Sequence, residues 1–178
     1  MTMFRIVFVL FLTLQISMSF GQKVGYVDTD YILKKLPEYN DAQKQLDAIS
    51  AEWQSQIEKK YQIIDQMYKD FQVEEILLTD DMKKKRLDEI EEKKVEALEF
   101  QKVKFGIDGD LFNERKKLVQ PIQEKVYKAI KQVARASGYA IMMDKAGTTT
   151  LIYTNPKYNK SDAVLKKLGY QPEEEEKF

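Results

Sequence analysis

The sequence predicts an α+β chain, mostly α, in which a long, coiled-coil-like helical-hairpin arm stands on a small antiparallel β body that oligomerises. Three observations lead there. Charged residues make up 33% of the 178, with only 7 Gly and 4 Pro, a composition of long helices rather than of loops. The middle of the chain places apolar residues three and four apart, the period of an amphipathic helix. Its two flanks alternate instead and are rich in β-branched and aromatic residues, as short strands are.

The N-terminal segment, residues 1–21, reads MTMFRIVFVLFLTLQISMSFG. Arg5 gives a positive start, Ile6 to Leu14 is almost wholly apolar, and the small residues Ser19 and Gly21 stand two apart, so it is read as a secretory signal peptide cleaved near Gly21. The apolar run is shorter than the roughly 20 residues of a spanning helix. The mature chain is therefore expected to start at Gln22 and to lie outside the cytoplasmic membrane without stable insertion.

Lys23 to Asp28 (KVGYVD) reads as a strand. Its partners must come from far along the chain, where Gly138–Asp144 and Thr148–Tyr153 flank Lys145-Ala146-Gly147, a hairpin turn. The body is thus assigned to residues 22–37 and 121–170. The helical residues between must leave this sheet and return to it, which makes residues 38–120 a hairpin arm with its tip near 77–81.

The outgoing arm carries Tyr39, Ala42, Leu46, Ile49, Trp53, Ile57, Tyr61, Ile64, Tyr68 and Phe71, spaced by about 3.56 on average, close to a coiled-coil repeat. Three consecutive steps of four around Trp53 to Tyr61 form a stutter. At the tip, Thr79 is placed to cap the return helix, with Asp80 and Asp81 at its positive end. In the return arm Leu98, Phe105, Phe112 and Val119 keep a seven-residue repeat, while Lys102, Gly109 and Lys116 fill the other seam positions, so half a seam is present. Folding about Leu78 and Thr79 sets Trp53 near Lys104 and Phe105, and Leu46 near Leu111 and Phe112. Gly106 and Gly109 should let the arm bend, and Pro121 should mark a kink or fresh start. Beyond it, Ile122, Val126, Ala129, Ile130 and Val133 regain a helical stripe that Gly138 ends. Ser161 to Leu168, stopped by Gly169, reads as a final helix, and residues 171–178 as an acidic disordered tail.

Composition excludes much chemistry. The absence of Cys and His removes disulfides, thiolate nucleophiles, the commonest general base and the commonest metal ligands. No Walker A, G-x-G-x-x-G or calcium-loop pattern occurs, so neither cofactor nor metal is expected; Phe105 to Asp110 lacks the remaining ligands of a calcium loop. With Arg5 removed, 28 positive charges oppose the 29 negative ones, which offers nucleic acid no net attraction. Asp28 and Asp144 both end strands and could be paired as hydrolytic carboxylates, but turn and cap roles suit them better, and no enzyme is expected.

The signal peptide, KVGYVD leading into Tyr31-Ile32-Leu33, the long charged hairpin, LVQPIQEKVYKAIKQVARASGYAIMMD and the final SDAVLKKLG together resemble the Skp/OmpH family of periplasmic chaperones for outer-membrane proteins. The resemblance spans the mature chain and is most specific at its two ends. It implies a homotrimer in the periplasm of a Gram-negative-type bacterium, with strands of three subunits sharing a β body. It also implies a function: an ATP-independent holdase that keeps unfolded outer-membrane proteins in a cavity between helical arms and prevents their aggregation. Client-binding candidates on the arms are Tyr61, Met67, Tyr68, Phe71, Phe100, Phe105, Ile107 and Phe112. Candidates for oligomerisation are Val24, Tyr26, Ile141, Met143, Leu151 and Tyr153, since association would remove exposed strand edges. The isoelectric point near 6.4 departs from the strongly basic well-known members and argues against anionic lipid binding. Lys83 to Arg86 reads as part of a solvated helix face. The alternative is a non-enzymatic structural or adaptor coiled-coil protein of the cell envelope, resting on the same heptads.

Overall fold

The structure, a computed structural model, describes residues 22–147 and 151–171. The signal peptide, Thr148 to Thr150 of the second hairpin strand and all of the acidic tail but Gln171 lie outside these. The elements in chain order are β1 (Val24–Val27), α1 (Thr29–Lys34), α2 (Pro37–Glu74), a 3-10 turn (Glu75–Leu77), α3 (Asp80–Phe105), α4 (Asp110–Ala136), β2 (Ile141–Asp144), a second 3-10 turn (Pro156–Tyr158) and α5 (Ser161–Leu168). The mostly α fold, with long helical arms and a small strand region, is the one the sequence predicts. The described residues form two compact units, one built from the chain ends and one from residues 33–126.

In the first unit β1 and β2 pair in parallel, Val24 opposite Ile141 and Val27 opposite Asp144. This corrects the antiparallel body. The expected hairpin partner after Gly147 forms no strand over Leu151 to Tyr153, and β2 reaches β1 from the same direction because the whole helical excursion lies between them. Parallel strands need such a long crossover. The outer edge of β1 meets Asn159 in a single bridge, and the Lys160 amide donates to the Tyr26 carbonyl at 2.8 Å. Val27, Ile32, Val164 and Leu165 are the most deeply buried apolar side chains of this unit.

Two carboxylates organise the ends of these elements. Asp28 accepts from the Tyr31 amide at 3.0 Å and so caps α1, while Asp144 accepts from the Thr29 hydroxyl at 2.6 Å and from the amides of Thr29 and Ala146, each at 3.1 Å. A carboxylate whose lone pairs are spent on backbone donors holds a turn. Gly169, at a φ of 93°, ends α5 in the left-handed region that a glycine enters without strain.

In the second unit α2 is a single 38-residue helix, about 57 Å long at 1.5 Å per residue. Pro37 occupies its first turn, where a missing N–H costs no bond. Thr79 caps α3 by accepting from the Met82 amide at 3.4 Å. Pro121 does not restart the chain: α4 begins at Asp110 and passes through it. The buried stripe of Val119, Val126, Ala129 and Val133 holds the helix on both sides of the proline and outweighs the lost hydrogen bond. Lys125 of α4 bonds Glu38 of α2 at 2.7 Å.

Candidate functional site

The hairpin seam pairs large rings on one helix with small or linear side chains on the other. Ile64, Ile90 and Ala97 form its buried cluster, and Met67, Tyr68 and Phe71 pack against it. Lys94 holds its ammonium 5.8 Å from the Tyr68 ring centre, and Lys60 reaches across to Phe100 at 5.4 Å. Lys104 lies 4.7 Å from the Trp53 centroid, and Trp53 meets Phe105 edge to face at 6.1 Å. The pairing of Trp53 with Lys104 and Phe105 is the one the folding arithmetic predicts. The carboxylate of Glu91, and after it the Tyr68 hydroxyl, raise the Lys94 ammonium above the usual lysine range.

The seam position of α3 differs from the expected one. Ile90, Ala97 and Lys104 carry it, one residue ahead of the Leu98 and Phe105 repeat, and Leu98 and Phe112 are exposed. Opposite the rings of α2, the Ala97 methyl and the unbranched Lys104 stem fill the space, and Leu98 is turned out onto the flank.

That displacement makes the hairpin two-sided. On antiparallel helices, side chains offset from the seam in the same rotational sense fall on the same side. Tyr61 and Tyr68 of α2 share such a side with Leu87 and Leu98 of α3, and Val95 lies further round toward the outer face. Tyr61, Leu87, Val95 and Leu98 are between 40% and 56% exposed, a partly open strip that the Lys94–Glu91 pair, 3.2 Å apart, interrupts between Leu87 and Leu98. The other side carries more ion pairs: Arg86 bonds Glu74 at 3.4 Å and Glu89 at 3.5 Å, and Lys93 bonds Glu96 at 2.8 Å. Its hydrogen bond from Lys93 holds the Glu96 carboxyl below the usual carboxylate range, and Lys93 is raised in return. At the tip Val73, Ile76 and Leu77 are 76 to 89% exposed.

The client-binding candidates thus separate into three groups. Met67, Tyr68 and Phe71 pack on the seam cluster. Phe100 and Phe105 are half-buried beside Lys104. Tyr61, Phe112 and Ile107 are open to solvent. Leu87, Val95 and Leu98 belong with Tyr61 on the strip although the sequence singled out only Leu98, and as a seam residue. The offset of these three from Ile90 and Ala97 is the signal that marks them once Ala97 is recognised as core.

Among the oligomerisation candidates, Val24, Tyr26, Met143, Leu151 and Tyr153 line one groove of about 640 Å³ in the first unit, while Ile141 is half-exposed and does not line it. Among the described residues no helix is long and apolar enough to cross a membrane, and no group of three or more acidic side chains could hold a metal ion.

Residues 23–168 match the model of the OmpH family, outer membrane protein (OmpH-like). The fold is similar to the crystal structure of a candidate outer membrane chaperone (OmpH-like) from Caulobacter crescentus CB15, with a TM-score of 0.67 at 13% identity, covering 83% of this chain and 84% of that one. No curated protein matches the chain. Strand, hairpin and final helix all fall within the matched residues, and the chain belongs to the OmpH-like family.

Proposed function

We propose that this protein is an ATP-independent holdase chaperone of the periplasm, exported by its N-terminal signal peptide, that keeps unfolded outer-membrane proteins from aggregating. The observation that carries the reading is the partly exposed apolar strip of Tyr61, Leu87, Val95 and Leu98 along one side of the hairpin in a member of the OmpH-like family. An unfolded barrel protein offers many short apolar stretches. Holding it takes a long surface of weak, non-directional contacts rather than one deep pocket, and its release then needs no nucleotide. Association of three chains through the groove of Val24, Tyr26, Met143, Leu151 and Tyr153 would cover those side chains and surround one client with several strips.

The test is the mass of the mature protein by light scattering coupled to size exclusion, alone and after dilution of a urea-unfolded outer-membrane barrel protein into it. A trimer-sized species that gains one soluble client supports the reading. A monomer or dimer that leaves the client to aggregate overturns it. The same strip could instead seat a fixed helix of an envelope partner, the adaptor reading. That reading expects no gain in client solubility.

A further inference from the structure

The return arm breaks between α3 and α4, and the break is tightly built. A Cβ on Gly106 would stand 2.3 Å from the Lys102 carbonyl oxygen, and one on Gly109 would stand 2.8 Å from that of Val103. Asp108 takes a φ of 57°, in the left-handed region. α2 runs past this break without interruption. Bending the hairpin here therefore flexes one helix, where elsewhere it must flex two packed ones. The place where the arm bends most easily is also the place where Lys104 sits.

Lys104 belongs to α3, and its ammonium bonds the Asp110 carboxylate at the start of α4 at 2.6 Å. The same ammonium lies 4.7 Å from the Trp53 ring centre of α2 and 5.5 Å from that of Phe100. Its side chain is only 22% exposed. One cation thus joins the three helix segments that meet at the bend. We propose that Lys104 is a latch: it holds the hairpin in one bend, and client side chains that take the ring faces of Trp53 and Phe100 displace it and free the distal half to move. The coupling to clients rests on the holdase reading. A ring face accepts an ammonium or an apolar side chain but not both, and a lysine pushed off its rings regains hydration on a flexible stem. Ion pairs and cation–ring contacts near the surface are individually weak, so the latch biases the bend and still yields to a ligand.

The chain has no Cys, so Gln72→Cys and Gln123→Cys, both exposed, place one spin label near the tip and one on α4. The labelled mature chain, diluted with unlabelled chain, is measured by pulsed dipolar spectroscopy. The wild-type distance distribution is expected to be narrow, and Lys104→Met, which keeps the stem and removes the charge, to widen it about two-fold. Asp110→Asn is expected to do the same and Lys104→Arg to keep it narrow. Adding a urea-unfolded barrel protein should widen the wild-type distribution and leave that of Lys104→Met unchanged. Identical widths for wild type and Lys104→Met overturn the latch. A wild-type distribution that client leaves narrow overturns its release. If light scattering shows no client held, the holdase reading fails, while the comparison without client still decides whether Lys104 holds the bend.

Discussion

Ala97 is fully buried in the hairpin cluster beside Ile64 and Ile90, with Tyr68 packed nearby. Ala97→Leu is expected to destabilise the hairpin by about 1–3 kcal/mol through overpacking, measured by urea unfolding. Ile90→Ala, which leaves a void, should cost about 2–5 kcal/mol in the same measurement. Gly106→Ala brings a Cβ within 2.3 Å of the Lys102 carbonyl. It should therefore destabilise the chain although it improves helix propensity, because the break must re-form around the clash. Residues with distinctive chemistry were legible in the sequence: Thr79 as a cap, Gly169 as a helix stop, and Trp53 facing Lys104 and Phe105. Ala97 and Lys94 were not legible as residues packed along the seam, since an alanine and a lysine carry no hydrophobic signal. Their place is set by the rings opposite.

At the scale of an element, α3 owes little to its own apolar period and much to its partner and its charges. The Lys93–Glu96 pair gives it a pH dependence with a definite sign. Glu96 is lowered on folding, so its contribution is present above the ordinary carboxylate value and is lost as pH falls through the folded value. Lys93 is raised, so its contribution is present below the ordinary lysine value and is lost as pH rises through the folded one. Helix content of the hairpin near its melting temperature, followed by circular dichroism, should be flat around neutrality and fall in acid and in strong alkali. Both side chains are open to solvent, 47% and 44% exposed, so the effect is small and shrinks further in salt. Replacing Leu87, Val95 and Leu98 together with Ser should leave the unfolding midpoint nearly unchanged but weaken client holding severalfold, because these side chains lie beside the seam rather than in it. A large loss of stability would instead make them core. The strand direction was the element-scale feature read wrongly: the sequence pointed to an antiparallel body and the strands pair in parallel. Alternation identifies a strand but not its neighbour's direction, and a nearby turn made the antiparallel choice look natural.

At the scale of the whole molecule, the mostly α architecture and its long helical arms were legible because α2 and α4 carry periodic stripes and α3 keeps half of one. Of the residues expected to mediate association, Tyr26 is already buried within its own chain. Deleting residues 38–120 is expected to leave association intact, read by light scattering, and to abolish client holding; holding that survived would move the binding surface off the arms. The parallel pairing of β1 with β2 also bears on the order in which the chain is made. Val24 meets Ile141 only after the whole hairpin has been synthesised, and closing so long a loop is entropically expensive until its interior is compact. The helices, whose contacts are closer in sequence, are expected to form first and to bring the two ends together. A chain emerging N-terminus first into the envelope would then complete its strand pair only when almost all of it had crossed, so any assembly that depends on that pair waits until translocation is nearly finished.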